Sequence, residues 1–206
     1  MLPSLLSKNQ IQEIKEGLKG ITPGEPNLQN ISSCFDVCFL HPKVLSGIVH
    51  IINYPFISVG IQFRPNPPGR GTSKLHVAYG GVPPYDGTYY ACNVIWMIDE
   101  FTMQNGPTRA VPTSHRWGRI PEEMMSDPRK SFPGEVYWVG PAGSAVVFNG
   151  HLWHSTTRNQ SERNRIAIVT AWHRHGTKTA PRASQWGVLN EYAKNRLSPS
   201  AKYLFP

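Results

Sequence analysis

Residues 143–173 read GSAVVFNGHLWHSTTRNQSERNRIAIVTAWH. Two β-prone runs, SAVVF at 144–148 and RIAIVTAWH at 165–173, flank a polar stretch rich in turn formers. The same texture recurs upstream, in ISVGIQF at 57–63, KLHVAY at 74–79 after the turn PNPPGRG, YYACNVIWMI at 89–98 and EVYWV at 135–139. Turn clusters separate these runs where helices would separate parallel strands. Antiparallel pairing in a barrel or a two-sheet jelly roll is therefore expected, with a parallel α/β sheet disfavoured.

Helical spacing is confined to the flanks. In residues 4–19, Leu5, Ile11, Ile14 and Leu18 fall near helical positions and Gly20 supplies a stop. In 42–53, Pro42 suits a first helical turn and Val44, Leu45, Ile48, Val49 and Ile52 form an apolar stripe. The stretch VLNEYAKNRL at 188–197 is a third, weaker helix. The reading is one domain over 1–206, mainly β with flanking helices: N-terminal helices in 1–53, a barrel core in 54–175 and a tail in 176–206. A chain of 206 residues with 39% hydrophobic side chains is long enough to bury a substantial core.

The formal net charge of +8 admits a nucleic-acid partner, an anionic ligand or a solvated surface. The basic residues are dispersed, and the densest cluster, Arg158, Arg163 and Arg165, is not a compact basic run, so no nucleic-acid partner is expected. Cys34, Cys38 and Cys92 are odd in number and contain no CxxC pair, which argues against a disulfide framework and for a reducing compartment. No apolar run reaches membrane-spanning length and no leader pattern opens the chain, so a soluble cytoplasmic protein is expected, with no membrane partner.

Two histidines stand out by context, His76 on the run after the proline-rich turn and His154 just beyond SAVVF. Either alone is weak, since a histidine beside apolar residues is more often a hydrogen-bonded structural residue than a ligand. Their surroundings decide more. LHPKVLSGIVHIIN, KLHVAYGG, CNVIWMIDEFTMQNGPTRAVPTSHRWGRIP, FPGEVYWVGPAGSAVVFNGHLWHSTTRNQSERNRIAI and RLSPSAKYLF follow one another in order. Segment by segment this resembles the phytanoyl-CoA dioxygenase-like branch of the iron(II)/2-oxoglutarate oxygenases.

That resemblance implies a double-stranded β-helix, the cupin-like jelly roll, holding iron(II) by an HxD motif and a distal histidine. His76 and His154 match the two histidine positions, which would leave the metal free positions for the keto acid and dioxygen. Arg165, eleven residues after His154, matches the arginine that grips the far carboxylate of 2-oxoglutarate, and Thr156 matches a hydroxyl that assists it. Trp96 resembles a tryptophan packed beside the cosubstrate, and Asn93 is placed in the same cavity, although strand alternation alone would turn some residues of this run inward. In NGPTRAVPTSHRW, Thr113 replaces the family's glycine, so a reshaped turn is expected there, with His115 and Arg116 structural.

The departure lies at position 78, where His76-Val77-Ala78 stands against the expected HxD. Alanine cannot coordinate, and Asp86, beyond a Gly-Gly-Val-Pro-Pro turn, is a poor substitute. Iron/2-oxoglutarate halogenases resemble this pattern, with chloride in the carboxylate's place. Halogenation, atypical hydroxylation and an inactive binding module all remain open on the sequence. The expected partner is a small-molecule substrate, and fold alone does not name it.

Overall fold

The computed structural model describes residues 1–78, 81–82, 84, 86–177 and 186–206. Among these, seven strands make two antiparallel sheets. The larger contains β1 (Phe56–Phe63), β2 (Ala91–Met97), β5 (Ala145–Asn149) and β7 (Ala167–Arg174) in the order β1-β7-β2-β5. The smaller contains β3 (Thr108–Ala110), β4 (Val136–Trp138) and β6 (His154–Thr156) in the order β4-β3-β6. Helices flank them: α1 (Lys8–Gly17), α2 (Val37–Leu40), α3 (Pro42–Ile52), α4 (Pro121–Met124), α5 (Glu191–Arg196) and α6 (Pro199–Lys202). This is the jelly-roll arrangement with flanking helices that the strand pattern implied.

The helices form where local chemistry allows. Ser7 caps α1 reciprocally with Gln10, the serine hydroxyl accepting from the Gln10 amide at 3.2 Å while the Gln10 side chain accepts from the Ser7 amide at 2.9 Å. Pro42 opens α3, and Asn53 ends it at a left-handed φ of 47°. The buried stripe Val44, Ile48 and Ile52 then faces the larger sheet, and a side chain at Gly47 would press on Val147 at 3.2 Å. Asn190 caps α5 through the Ala193 amide, and so the helix starts at Glu191, three residues later than the expected 188.

Strand parity separates the two faces of the larger sheet. Cys92, Val94 and Trp96 of β2, together with Ile168 and Trp172 of β7, join the core beneath the helices. The alternate residues Asn93 and Ile95 of β2, Phe148 of β5, and Val169 and Ala171 of β7 look into a cavity that the smaller sheet closes with Thr108, His154 and Thr156. The cavity therefore lies between the sheets.

One expectation needs correction, and some elements lay beyond the sequence reading. Residues 74–78 form no ladder strand: His76 makes an isolated antiparallel bridge with His154, while Tyr79, at the end of the expected run, lies outside the described residues, as do parts of the 79–90 loop and residues 178–185. Strands β3 and β6 were not foreseen, being three residues each and too short to show alternation. Short helical turns between 28 and 40, and α6, were likewise not anticipated.

Candidate active site

His76 and His154 are brought together by their backbones. Each amide donates to the other's carbonyl oxygen at 3.1 Å, and the ring centroids lie 4.5 Å apart. Alternation on the His76 segment sends Leu75 and Val77 into a small core with Val111 and Trp153. His76 and Ala78 are thereby left on the cavity side, where both line the wall.

Both imidazoles are oriented the same way. The Nδ1 of His76 lies 3.1 Å from the Lys74 carbonyl oxygen, and the Nδ1 of His154 lies 2.8 Å from that of Leu152. A carbonyl can only accept, so each Nδ1 carries a proton, and Nε2 is the nitrogen that bears the lone pair in the neutral ring. Fixing the tautomer from behind in this way is how metal-binding histidines are commonly prepared. Burial, then the neighbouring His76, push the pKa of His154 down to about 3, so its ring is neutral at physiological pH. Phe148 packs edge-on against His154 at 4.8 Å and shields it.

Arg165 stands deeper in the same cavity. It is 4% exposed, its guanidinium lies 4.0 Å over the Phe101 ring, and its Nε meets no hydrogen-bond partner among the described residues. Burial lowers its pKa to about 10, against an opposing effect of Asp99, so it stays cationic at neutral pH. A buried guanidinium with an orphaned donor is costly unless an anion completes it. Thr108 and Thr156, paired across β3 and β6, line the wall nearby. The whole cavity measures about 860 Å³, ample for a keto acid and a second small molecule.

No carboxylate among the described residues completes the histidine pair. Among the described residues, no group of three His, Cys, Asp or Glu side chains is placed to hold a metal, and no Asp or Glu lines the cavity. Asp86 is absent from the wall and instead accepts from the Thr88 amide at 2.8 Å. Glu122 is paired with Lys74 at 2.6 Å. The residues present are thus two imidazoles chemically able to ligate a metal, a methyl group at Ala78 where no ligand is offered, and a guanidinium at Arg165 able to take a carboxylate.

The phytanoyl-CoA dioxygenase (PhyH) family pattern matches residues 8–167, which is most of the chain. This protein belongs to that family. Among curated relatives, dioxygenase af480 of Aspergillus fumigatus is 30% identical over 138 residues, covering 66% of this chain and 43% of its own length. Dioxygenase ALT11 of Alternaria alternata is 30% identical over 107 residues, covering 50% of this chain and 33% of its own. The chain therefore spans less than half the length of these relatives. Among solved structures, HygX from Streptomyces hygroscopicus with nickel and 2-oxoglutarate bound superposes with a TM-score of 0.73 at 14% identity, covering 92% of this chain and 90% of that one. The 2-oxoglutarate-dependent epimerase SnoN of nogalamycin biosynthesis does so at 0.64 and 15%, covering 87% and 86%.

Two expectations drawn from the family resemblance are overturned by the geometry. Trp96 does not stand beside the cavity: it is fully buried on the opposite face of β2, donating from Nε1 to the Cys38 carbonyl at 3.0 Å. Asn93 and Trp96 are an odd number of residues apart on one strand, so only one of them can face inward, and it is Asn93. Nor is the turn at Thr113 reshaped. Thr113 adopts the left-handed φ of 66° itself, at the strain a β-branched residue bears there.

Other contributors went unseen in the sequence. Phe101 and Phe148 touch Arg165 and His154, but apolar residues in strands and turns carry no functional signature. Arg109 is buried and donates to Ser155 Oγ, to Glu135 and to the carbonyls of Pro128, Arg129 and Lys130. The Pro128 carbonyl also accepts from the Leu75 amide, so Arg109 links the segments next to both histidines. His115 is absent from the cavity wall and packs against Tyr89 at 5.4 Å.

Proposed function

We propose that this protein is an iron(II)/2-oxoglutarate-dependent oxidoreductase that halogenates or hydroxylates a small organic molecule. The observation that carries the reading is the pairing of two pre-oriented imidazoles with an unpaired, buried Arg165 on one cavity wall. Iron(II) bound with 2-oxoglutarate supplies dioxygen-driven oxidation of an unactivated C–H bond. The chain's own residues do the rest.

His76 and His154 would hold the metal through Nε2, each kept in the right tautomer by a backbone carbonyl. Arg165 would take the far carboxylate of the keto acid by two parallel hydrogen bonds, with Thr156 adding a hydroxyl. Phe101 and Phe148 exclude water from the arginine and from His154, which strengthens both interactions. At Ala78 the side chain ends at a methyl group beside His76, and the cationic cavity favours an anion there. Ala78 would leave room there for a halide, which would bias the outcome toward halogenation.

The test is anaerobic titration with iron(II) and 2-oxoglutarate, followed by visible absorption of the metal-to-ligand charge-transfer band, with and without chloride or bromide. A band that shifts with halide supports the halogenase form, and a band indifferent to halide supports hydroxylation. Absence of both band and retained iron sinks the enzyme reading. A second reading, a binding module without turnover, is favoured by one observation: no third metal-ligating side chain converges on the histidines among the described residues.

A further inference from the structure

The cavity carries more positive charge than its keto acid can use. Arg64, Arg70 and Arg165 all line it, no acid does among the described residues, and none of the three has an ion-pair partner there. A divalent metal and a doubly charged keto acid cancel one another, so the three guanidinium charges remain. A halide beside Ala78 would offset only one of them.

Arg64 and Arg165 stand close together on the β1–β7 ladder but differ in burial. Arg165 is buried, whereas Arg64, one residue beyond edge strand β1, is exposed where it lines the cavity. The amide of Arg64 bonds to the Ala167 carbonyl at 2.9 Å, while Arg165 pairs with Asn66 one step further along the ladder. The Arg64 side chain is also held. Its Nε donates to Oε1 of the buried Gln62 at 2.8 Å, and its Nη2 donates to the same oxygen. Gln62 is neutral, so it orients the guanidinium without neutralising it.

The loop bearing Arg70 is likewise built. Asn66, 2% exposed, donates to the carbonyls of Gly106 and Thr157 at 3.3 and 3.2 Å. Asn159, fully buried, donates to the Asn66 carbonyl at 2.7 Å, and its amide bonds to the Arg70 carbonyl at 2.8 Å. Gly71 packs so closely that a side chain there would meet the Thr157 carbonyl at 2.3 Å. Two cations at the mouth are thus presented by pinned backbone, and pre-organisation of this kind favours a ligand.

The same cavity also presents apolar wall, formed by Val59, Ile95, Phe148, Val169, Ala171 and Trp186. We propose that the substrate is an amphiphilic organic anion, an apolar small molecule bearing one carboxylate, sulfonate or phosphate group that Arg64 and Arg70 hold at the cavity mouth. Its apolar body then lies along the wall toward His76 and His154. This inference deepens the proposed function and rests on it for the word substrate; the anion site itself does not need the metal.

The experiment is a fluorescence titration of the full chain, with saturating 2-oxoglutarate, using two probes of the same ring system. These are 8-anilinonaphthalene-1-sulfonate, which is anionic, and N-phenyl-1-naphthylamine, which is neutral. The anionic probe is expected to bind about tenfold more tightly or better, a difference that the double variant R64Q/R70Q removes while leaving the neutral probe and 2-oxoglutarate unaffected. Equal binding of the two probes to the unaltered protein overturns the proposal, as does a preference that survives in the double variant. Loss of 2-oxoglutarate affinity in R64Q/R70Q as large as in Arg165→Gln also overturns it, by assigning Arg64 to the cosubstrate. Failure of the unaltered protein to bind 2-oxoglutarate is a separate result that counts against the proposed function alone, because the two-probe comparison can be run without it.

Discussion

The amide of Ala78 donates to the carbonyl oxygen of Gly150 at 2.8 Å. This bond, two residues beyond the His76–His154 bridge, fixes the alanine methyl on the cavity wall that His76 shares. Restoring a carboxylate there should complete a three-ligand site. Ala78→Asp is expected to tighten metal binding by at least about tenfold, measured anaerobically by isothermal titration with nickel(II) or iron(II), and to abolish any halide dependence. Unchanged affinity would show that position 78 does not face the metal.

Arg165 tests the cosubstrate independently of the metal. Replacing it with Lys keeps the charge but loses the planar pair of donors, and replacing it with Gln loses both. Both variants are expected to weaken 2-oxoglutarate by roughly tenfold to a hundredfold, with Lys no better than partly effective, while metal affinity holds. Equilibrium dialysis with labelled 2-oxoglutarate gives the answer.

Trp96 should matter for stability and not for ligand. Trp96→Phe leaves the Cys38 carbonyl without its donor and opens a small void under α2, a cost of about 1–3 kcal/mol. Thermal unfolding should shift down by several degrees with 2-oxoglutarate affinity unchanged. A selective loss of 2-oxoglutarate binding would return Trp96 to the cavity.

Thr113 is held where glycine is the easier residue. Thr113→Gly relieves the left-handed strain but pays the greater freedom of glycine in the unfolded chain, leaving a net gain of about 0.5–1 kcal/mol. Differential scanning calorimetry should show a small rise in Tm. A fall would mean that the threonine side chain makes compensating contacts.

Acid should destabilise the fold in a defined window. Burial pushes His151 and His173 down to about 4, with His115 and His173 adding to the effect on His151. Between about 4 and the unfolded value near 6.5 the unfolded chain binds the extra protons, so stability is fully present above 6.5 and declines as pH falls through this range. Tm of chelator-treated protein is expected to drop steadily from pH 7 to 5, with a shallower slope in H151Q/H173Q. A flat profile in the unaltered protein would contradict the burial of these rings.

Much of the site is legible in one dimension. The turn-separated β runs are local patterns, because strand period is a property of neighbouring residues, whereas the HxA triplet and the eleven-residue step from His154 to Arg165 are legible through the family resemblance. Even the misplacement of Trp96 was readable, since three residues along a strand cannot share a face with Asn93. Strands β3 and β6 were not readable, because three-residue strands exist only through pairing with distant partners.

By itself, then, the sequence determined the β-rich fold class, and its family resemblance nominated His76, His154, Arg165 and position 78 as the candidate site. The tertiary structure alone decided that His76 and His154 bridge across 78 residues of chain. It also decided that their Nδ1 atoms are both engaged, that Trp96 faces the helices, and that three arginines share a cavity with no acid among the described residues. The physical reason is long-range register. Hydrogen bonds between strands far apart in sequence choose which side chains converge, and charge in a cavity is a sum over residues that only folding brings together.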